Sequence, residues 1–492
     1  MKVMSVARTA VGASVLMGCS LLYNPSNLPS PPIDAAADAH IVFPDLLALT
    51  AVGPSVLLEG QGTGGSRPAI LAIEGTDIAS DATVALLPVD AQGSAPVIEI
   101  DHAHAVHALG GTVLAVPVTL PVDPNRGKPS ATEVMLTVQV TQMGANGSPV
   151  VKLLLGKLKL RNLPELDAVI TDVAALAPQY SQVSFPAGLA FTARASVLPV
   201  AIRAVGAIDL GTGDVHADGS GQNPGSGGNA GGAKGANGGG AGGGHPSGLL
   251  SGGLLAAASG GGYGTAGGPG GAVGNANANA GGVATGDDFL RSYAANASSG
   301  GGGGDNNPGG GGGATLELTA GGTLTVGKVS ANGGSAGGNG GGGSGGAIVL
   351  RSGGTATLGT VTANGGGGGN GSAGDGGVGR VRYDVPSLVG TAPPGARRGV
   401  AFDPSGGNIP LATSDAHQPL RVISTTGTTD FKVFVLNREG TTTASTSVTF
   451  GSASAVITPT LVPGYNRVCV TPPGSTPDIV ESTNCLEIAY VP

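Results

Sequence analysis

The chain has 492 residues, room for about three domains, with 94 glycines, no tryptophan and 3 % aromatic residues. So much glycine with so few rings excludes a single ordinary globular domain built on a large aromatic core. Charged residues are 11 % and the formal net charge is −8; an acidic chain with no basic cluster excludes a nucleic-acid partner.

MKVMSVAR opens the chain with Lys2 and Arg8, and TAVGASVLMG follows as a short apolar stretch ending in small residues. It is too short to span a bilayer and reads as a signal peptide over residues 1–18. Leu16-Met17-Gly18-Cys19 resembles the bacterial lipobox. The resemblance implies that Cys19 is the lipidated first residue of the mature protein. Ser20 rather than Asp follows, which by resemblance to other lipoproteins implies the outer membrane, surface-exposed or periplasm-facing. Acylation at Cys19 would clear the two-chain threshold for stable anchoring. Residues 19–43 are then anchor and tether, rich in Pro, Ser, Ala and Asp. The competing reading is an ordinary secreted protein with a chance cysteine.

Residues 44–163 predict a β-sandwich. Strands are expected at 69–74, 83–88, 97–101, 112–120, 133–141 and 150–160. Val134, Leu136, Val138 and Val140 alternate with polar partners, as in a half-buried strand. Short strands separated by Gly- and Pro-containing turns imply an immunoglobulin-like arrangement. Gly53-Pro54-Ser55-Val56-Leu57-Leu58-Glu59-Gly60, followed by Ala69-Ile70-Leu71-Ala72-Ile73-Glu74-Gly75, resembles the start of an IPT/TIG domain. Ile78 stands where that family often has an aromatic. Within this segment, Asp101-His102-Ala103-His104-Ala105-Val106-His107 is the one tempting ligand cluster. On a strand, His102 and His104 share a face and could bind a metal, with Asp101 or His107 swinging in. The bland alternative is a polar strand end and loop.

Residues 164–390 predict a glycine-rich parallel β-solenoid. GGGATLELTAGGTLTVGKVSANGG and GGAIVLRSGGTATLGTVTANGG superpose at an offset of 32 residues: Leu318 maps to Leu350, Gly327 to Gly359, Asn332 to Asn364. A period of this size marks units that bury an apolar face only by stacking on a neighbour. Leu316/Leu318, Leu324/Val326 and Val329/Ala331 alternate with polar residues. Ile348/Leu350, Ala356/Leu358 and Val361/Ala363 repeat the pattern, and small or aliphatic inward residues suit a thin coil. Residues 200–219 form a third copy with a two-residue insertion and Asp218 in the Asn place. LDAVITDVAALAPQYSQVSF carries a short helical pattern interrupted by Pro and Val; the strands after it begin the first coil. Residues 219–313 are low-complexity and Gly-rich. Two readings stand: a flexible linker, or extended polyglycine-II-like segments whose backbones touch because no Cβ intervenes. Regular coils on either side favour packing. GGGYGTAGG, GGGGGATLELTAGGTLTVG and GGGSGGAIVLRSGG resemble glycine-rich solenoid lipoproteins of myxobacteria and related Gram-negative bacteria. That resemblance implies compartment and fold more than activity.

Residues 391–492 predict a second sandwich, with strands at 419–425, 430–436, 446–450, 454–460, 466–470 and 485–491. Leu461-Val462-Pro463-Gly464-Tyr465-Asn466-Arg467-Val468-Cys469-Val470 is similar to a strand of bacterial Ig-like domains. After Cys19 only Cys469 and Cys485 remain, each at a predicted strand. In an oxidising compartment such a pair forms a disulfide, and closing a loop of that size stabilises by roughly 3 kcal/mol.

Catalytic patterns are poor. Gly-x-Ser-x-Gly occurs around Ser344, but inside a glycine run without a partner His and Asp. Gly-x-Gly-x-x-Gly matches lack a strand–turn–helix context, and a Walker A is absent. Gly374-Asp375-Gly376-Gly377 echoes a calcium nonapeptide without its tandem. Asp287-Asp288 lie in a loop with no acid or base partner expected. Outward Thr323, Thr325, Thr355, Thr357, Thr360 and Thr362 make a short ladder, as cross-strand threonines commonly do. The resulting expectation is a non-enzymatic, cofactor-free lipoprotein with a structural or adhesive role at the outer membrane or extracellular matrix. Its membrane partner is reached through the N-terminal lipid, and its other partner is a surface polysaccharide or another surface protein. The rivals are a β-helix polysaccharide lyase or hydrolase, and a glycan- or metal-binding module. A stiff spacer carrying sandwich modules would suit display, with contacts through exposed loops.

Overall fold

Strands of the described residues assemble into seven sheets, with no α-helix among them. The computed structural model describes residues 42–60, 69–89, 98–120, 132–162, 180–184, 190–192, 199–249, 255–272, 275–290, 297–404, 409–424, 431–471 and 484–492. The signal peptide, Cys19, most of the tether and the helical pattern up to residue 179 lie outside them; its end, Val183–Ser184, is a strand. Val42–Pro492 forms one unit.

Sheet A joins Ala48–Gly53, Ala69–Thr76, Val113–Thr119 and Glu99–Ile100, with Val106–His107 also pairing to Val113–Thr119. Sheet B joins Val56–Leu58, Pro149–Asn162, Thr132–Met143 and Thr83–Pro88. The predicted alternation holds: Leu136, Val138 and Val140 are buried against Leu71, Ile73, Leu114 and Val116 of sheet A. At the other end of the chain, sheet F joins Ala401–Phe402, Leu420–Ile423 and Ser454–Ile457. Sheet G joins Ala412–Thr413, Asn484–Tyr490, Gly464–Thr471, Phe431–Leu436 and Thr442–Val448. F and G share a core of Val422, Phe431, Val433, Phe450, Val468 and Ile488.

These two pairs of sheets are not held apart by the middle of the chain. The outer face of sheet A packs on sheet G through Ile70, Ala72, Val113, Ala115, Tyr465, Ala489 and Val491. The order of layers is therefore B, A, G, F. Small residues let A and G approach: Gly53 lies so near Tyr465 that a Cβ there would collide with the Tyr465 side chain. Glu74 and Arg438 form an ion pair beside this contact. Burial on both faces accounts for AILAI at 69–73, a continuous apolar run rather than an alternating one. A display arrangement with a module at each end of a spacer is thereby corrected.

The middle of the chain shuttles between two parallel sheets. Sheet D runs Val200–Ala204, Thr315–Ala320, Ala347–Ser352, Arg380–Asp384 and Arg397–Arg398 in that order. Val200 pairs with Leu316, Leu316 with Ile348, and Ile348 with Val381. Sheet C is built around Leu324–Ser330, which pairs with Ile208–Asp209 and Asp214–His216 on one side and Thr355–Thr362 on the other. Val183–Ser184, Ala190–Thr192 and Ser387–Val389 complete it. The two-residue insertion of the upstream copy falls in the break between 209 and 214. Inward residues of C and D interleave as expected: Leu316, Leu318, Leu324, Val326, Ile348, Leu350 and Ala356 are fully or almost fully buried. Asp218, Asn332 and Asn364 stack at one corner. The Asn332 N–H donates to Asp218 Oδ1 at 2.6 Å and the Asn364 N–H to Asn332 Oδ1 at 2.8 Å.

The glycine-rich segments pack into a bundle. The N–H groups of Gly341, Gly342 and Gly343 donate to the carbonyls of Gly302, Gly374 and Gly334 at 2.9, 2.9 and 3.0 Å. Those of Ser344, Gly345 and Gly346 donate to Ser299, Gly377 and Ala331 at 2.9, 2.9 and 2.7 Å. The same three neighbouring segments recur after three residues, as the threefold polyproline-II helix requires. Backbones this close leave no room for a Cβ: at Gly342, Gly343, Gly345 and Gly376 it would overlap a neighbour's carbonyl oxygen. Ordering glycine is entropically expensive, and here the opposing term is a near-complete set of backbone hydrogen bonds. Serine is the polar residue admitted inside. Ser259, Ser298, Ser299 and Ser344 are buried, and each hydroxyl bonds a backbone group. Among the described residues of 219–313 the packed alternative therefore holds over the flexible linker, with Leu290 as an anchor beside Tyr263, Ala347 and Val349.

That contact covers part of the outer face of sheet D. Glu317 and Asp384 are fully buried there and Arg203, Arg351 and Arg382 nearly so. Glu317 accepts from Arg203 Nε at 2.8 Å and Arg351 Nη1 at 3.1 Å; Asp384 accepts from Arg351 Nε at 3.3 Å and Arg382 Nε at 2.7 Å. Arg382 Nη1 reaches the Phe289 carbonyl at 2.7 Å. The polar positions of the repeat are here a buried ladder of alternating charge across four strands. Arg351, at a polar position of the repeat, is the middle cation of this ladder.

Candidate functional site

The three histidines singled out in the sequence do not gather. His102–His104 is one turn of 3-10 helix, not a strand, which corrects the shared-face expectation. Asp101 caps it, accepting from the Ala103 and His104 N–H groups at 3.1 and 3.2 Å and bonding His104 Nδ1 at 2.7 Å. That side-chain bond to His104 holds the exposed Asp101 carboxyl below its ordinary value. His107 lies on a separate short strand, half-buried. Burial pushes its ring pKa down, and Nδ1 has no hydrogen-bond partner among the described residues. Among the described residues no group of three or more His, Cys, Asp or Glu could hold a metal ion.

Cys469 and Cys485 are directly opposite on Gly464–Thr471 and Asn484–Tyr490, with Cα atoms 4.0 Å apart, and form a disulfide. Asp288 pairs with Arg380 and Arg397, which corrects the expectation of a partnerless acid pair. Ser344 is buried in the glycine bundle, its hydroxyl donating to the Ser299 carbonyl at 3.0 Å, so it presents no nucleophile. Asp375 Oδ1 accepts from the Gly368 N–H at 2.8 Å within its own loop.

One polar constellation is marked by no local motif. Parallel pairing of 214–216 with 328–330 puts His216 beside Ser330, 114 positions away, with Nδ1 3.0 Å from Oγ. Asp214 lies 3.4 Å from His216 Nε2. The residue types match a Ser-His-Asp triad, but the chemistry runs the wrong way. Ser330 is 1 % exposed, and its hydroxyl donates to Asp218 Oδ2 at 2.9 Å. With that proton committed, Ser330 accepts from His216 instead of being deprotonated by it. The cluster ties the first and second strand turns of sheet C together.

The outward threonines lie in rank on sheet C. Thr325 pairs with Thr357, and Lys328 with Thr360. Thr323, Thr357 and Thr360 are exposed. The rank is narrow and offers no acid–base pair.

A groove lies in the last pair of sheets. Thr442–Val448 ends sheet G and Ser454–Ile457 ends sheet F, and both border it. It has a volume of about 290 Å³. Val433, Val435, Ala444, Val448 and Ile457 form its apolar side, with Ser445, Thr446, Thr458 and Thr460 at the rim. The groove opens onto the F–G core because F has three strands and G has five. A free edge offers a row of backbone donors and acceptors. The arrangement can therefore accept an extended chain, with main-chain bonds to the edge and alternate side chains in the gap.

No family model matches the chain, and no curated protein or solved structure matches it either. No helix of the described residues is long and apolar enough to cross a membrane.

Proposed function

We propose that this chain is a non-enzymatic surface lipoprotein, tethered through acylated Cys19 to the outer membrane, with a structural or adhesive role there or in the extracellular matrix. In this reading the sheet pairs A/B and F/G are Ig-like sandwiches, and C and D are the walls of a short β-solenoid extended sideways by the glycine bundle. The observation that carries it is the glycine bundle itself. Its interior is saturated by backbone bonds and its side chains are absent or tied to the backbone, a construction suited to rigidity rather than to chemistry. The resemblance to glycine-rich myxobacterial lipoproteins supports the same compartment. Binding then falls to the periphery, to a surface polysaccharide or another surface protein.

Two measurements test this. Mass spectrometry of the N-terminal peptide from cells of the native host is expected to show acyl groups on Cys19; an unmodified, soluble protein rejects the anchor. A panel of surface polysaccharides and proteins, assayed for both binding and turnover, is expected to give binding alone. Measurable bond cleavage would replace the adhesive reading with that of a polysaccharide lyase or hydrolase.

A further inference from the structure

We propose that the groove between Thr442–Val448 and Ser454–Ile457 is a homotypic docking surface, in which a second copy of the chain pairs its own Thr442–Val448 antiparallel to the first. This stands whether or not the chain is anchored or adhesive.

Edge strands invite pairing, and folded proteins blunt them by shortness, Pro, charge or cover. Sheet A ends in the six-residue Ala48–Gly53, which runs into Pro54, and sheet B in Thr83–Pro88, which ends in Pro. Edge strand Val200–Ala204 carries Arg203 into the buried ladder. Thr442–Val448 has seven residues, the longest strand at a sheet edge among those described, with no Pro, Gly or charge. Of its residues, five are exposed and Ala444 and Val448 partly so. Nearby Val456 is 64 % exposed.

Charge selects the occupant. The chain carries −8 overall, yet no charged residue occurs from Gly440 to Asn466. Two acidic molecules repel, and a neutral hairpin is where a second copy meets least opposition. The strand is also self-complementary. A twofold axis through Ser445 sets Thr442 against Val448, Thr443 against Ser447 and Ala444 against Thr446. Ser445 and Ser447 of each copy then place hydroxyls on the outer face, a favourable cross-strand pairing, while Thr443, at the bulge near the start of the strand, keeps its hydroxyl on the Val435 carbonyl at 3.1 Å. Ala444, Thr446 and Val448 of each copy lie over the groove beside the other's Val433 and Val435. The interface is isologous and closes after two copies.

The full chain carrying Cys19→Ser, with its native disulfide intact, leaves an introduced cysteine as the one free thiol. In this background Ser445→Cys is expected to yield a disulfide-linked dimer under mild oxidation, because the axis places residue 445 opposite itself at bridging distance. Thr443→Cys or Ser447→Cys alone should remain unlinked, while an equal mixture of the two should link. Sedimentation equilibrium of the parent is expected to show a concentration-dependent dimer, weakened about tenfold or more by Thr446→Lys, a charge on the edge. Unchanged circular dichroism would show that the variants fold. A parent that stays monomeric at every concentration, or equal linkage of all three single cysteines, overturns the proposal. So does a monomer that binds an extended neutral peptide of unrelated sequence but not one of sequence 441–450, which would assign the groove to a foreign strand.

Discussion

The Cα of Gly343 faces the carbonyl of Gly311 so closely that a methyl group at 343 would come well within 3.0 Å of that oxygen. The obstacle is backbone, held by its own bonds, and it cannot swing aside as a side chain could. Gly343→Ala is therefore expected to lose stability at or above the upper end of the usual overpacking range, about 3 kcal/mol. Gly371, with nothing near its would-be Cβ, is the control. Gly371→Ala should be neutral or stabilise by up to about 1 kcal/mol, through the unfolded chain. Denaturant midpoints of the two variants check the contrast.

Asp384 sits between Arg351 and Arg382 on a buried face. Removing it takes the carboxylate from Arg382 and leaves Arg351 sharing Glu317 with Arg203, and breaking a buried pair in this way costs about 3–5 kcal/mol. Asp384→Ala should accordingly unfold at markedly lower denaturant. Replacing Arg203, Glu317, Arg351, Asp384 and Arg382 together by apolar residues of similar size should restore much of the loss, because it removes the desolvation cost with the charges. A quintuple variant no more stable than Asp384→Ala would show that the ladder contributes more than charge balance.

Tyr263 is fully buried, and its burial pushes the phenol pKa well up. The unfolded chain ionises near pH 10. The neutral form is thus favoured in the folded state. Its contribution is complete below about pH 10 and is lost as pH rises toward the folded value, since the unfolded chain releases the proton first. The melting temperature of the native chain should fall more steeply between about pH 9 and pH 11 than that of Tyr263→Phe. Parallel curves would contradict this.

Reduction of Cys469–Cys485 should lower the stability of the F–G pair by about 3 kcal/mol, the entropy of the loop it closes. A denaturant titration with and without reductant reads this directly. Cys469→Ala with Cys485→Ala should match the reduced native chain and respond to reductant no further.

Much of the middle of the molecule was legible because it repeats. The offset from Leu318 to Leu350 is the pairing register of sheet D, and Asp218 stands in the stack where Asn332 and Asn364 follow it. Alternation identified the inward residues there as well. What lay outside such periodicity was not readable. Glu317 and Arg351 look like solvent-facing polar positions in a strand; they are buried on a face where Leu290, from within the low-complexity insert, packs with Ala347 and Val349. The His216–Ser330 contact joins residues 114 positions apart, the same offset that sets Asp218 beside Asn332, so the repeat places the pair although nothing local marks its chemistry. Docking of sheet A on sheet G did leave a trace. AILAI at 69–73 does not alternate, and a strand apolar on both faces needs a second layer. The partner layer, however, comes from the far end of the chain.

Glu74 and Arg438 are 364 positions apart, yet they meet beside the contact of A and G. Everything between them must leave the ribosome, and Tyr465 and Ala489 as well, before the first sheets can cover their outer face. Until then Ile70, Ala72, Val113 and Ala115 are an uncovered apolar surface on a nascent chain. Closing so large a loop late makes assembly slow and leaves that surface open to aggregation meanwhile. The last strand, Asn484–Tyr490, is thus the piece whose arrival lets that surface close.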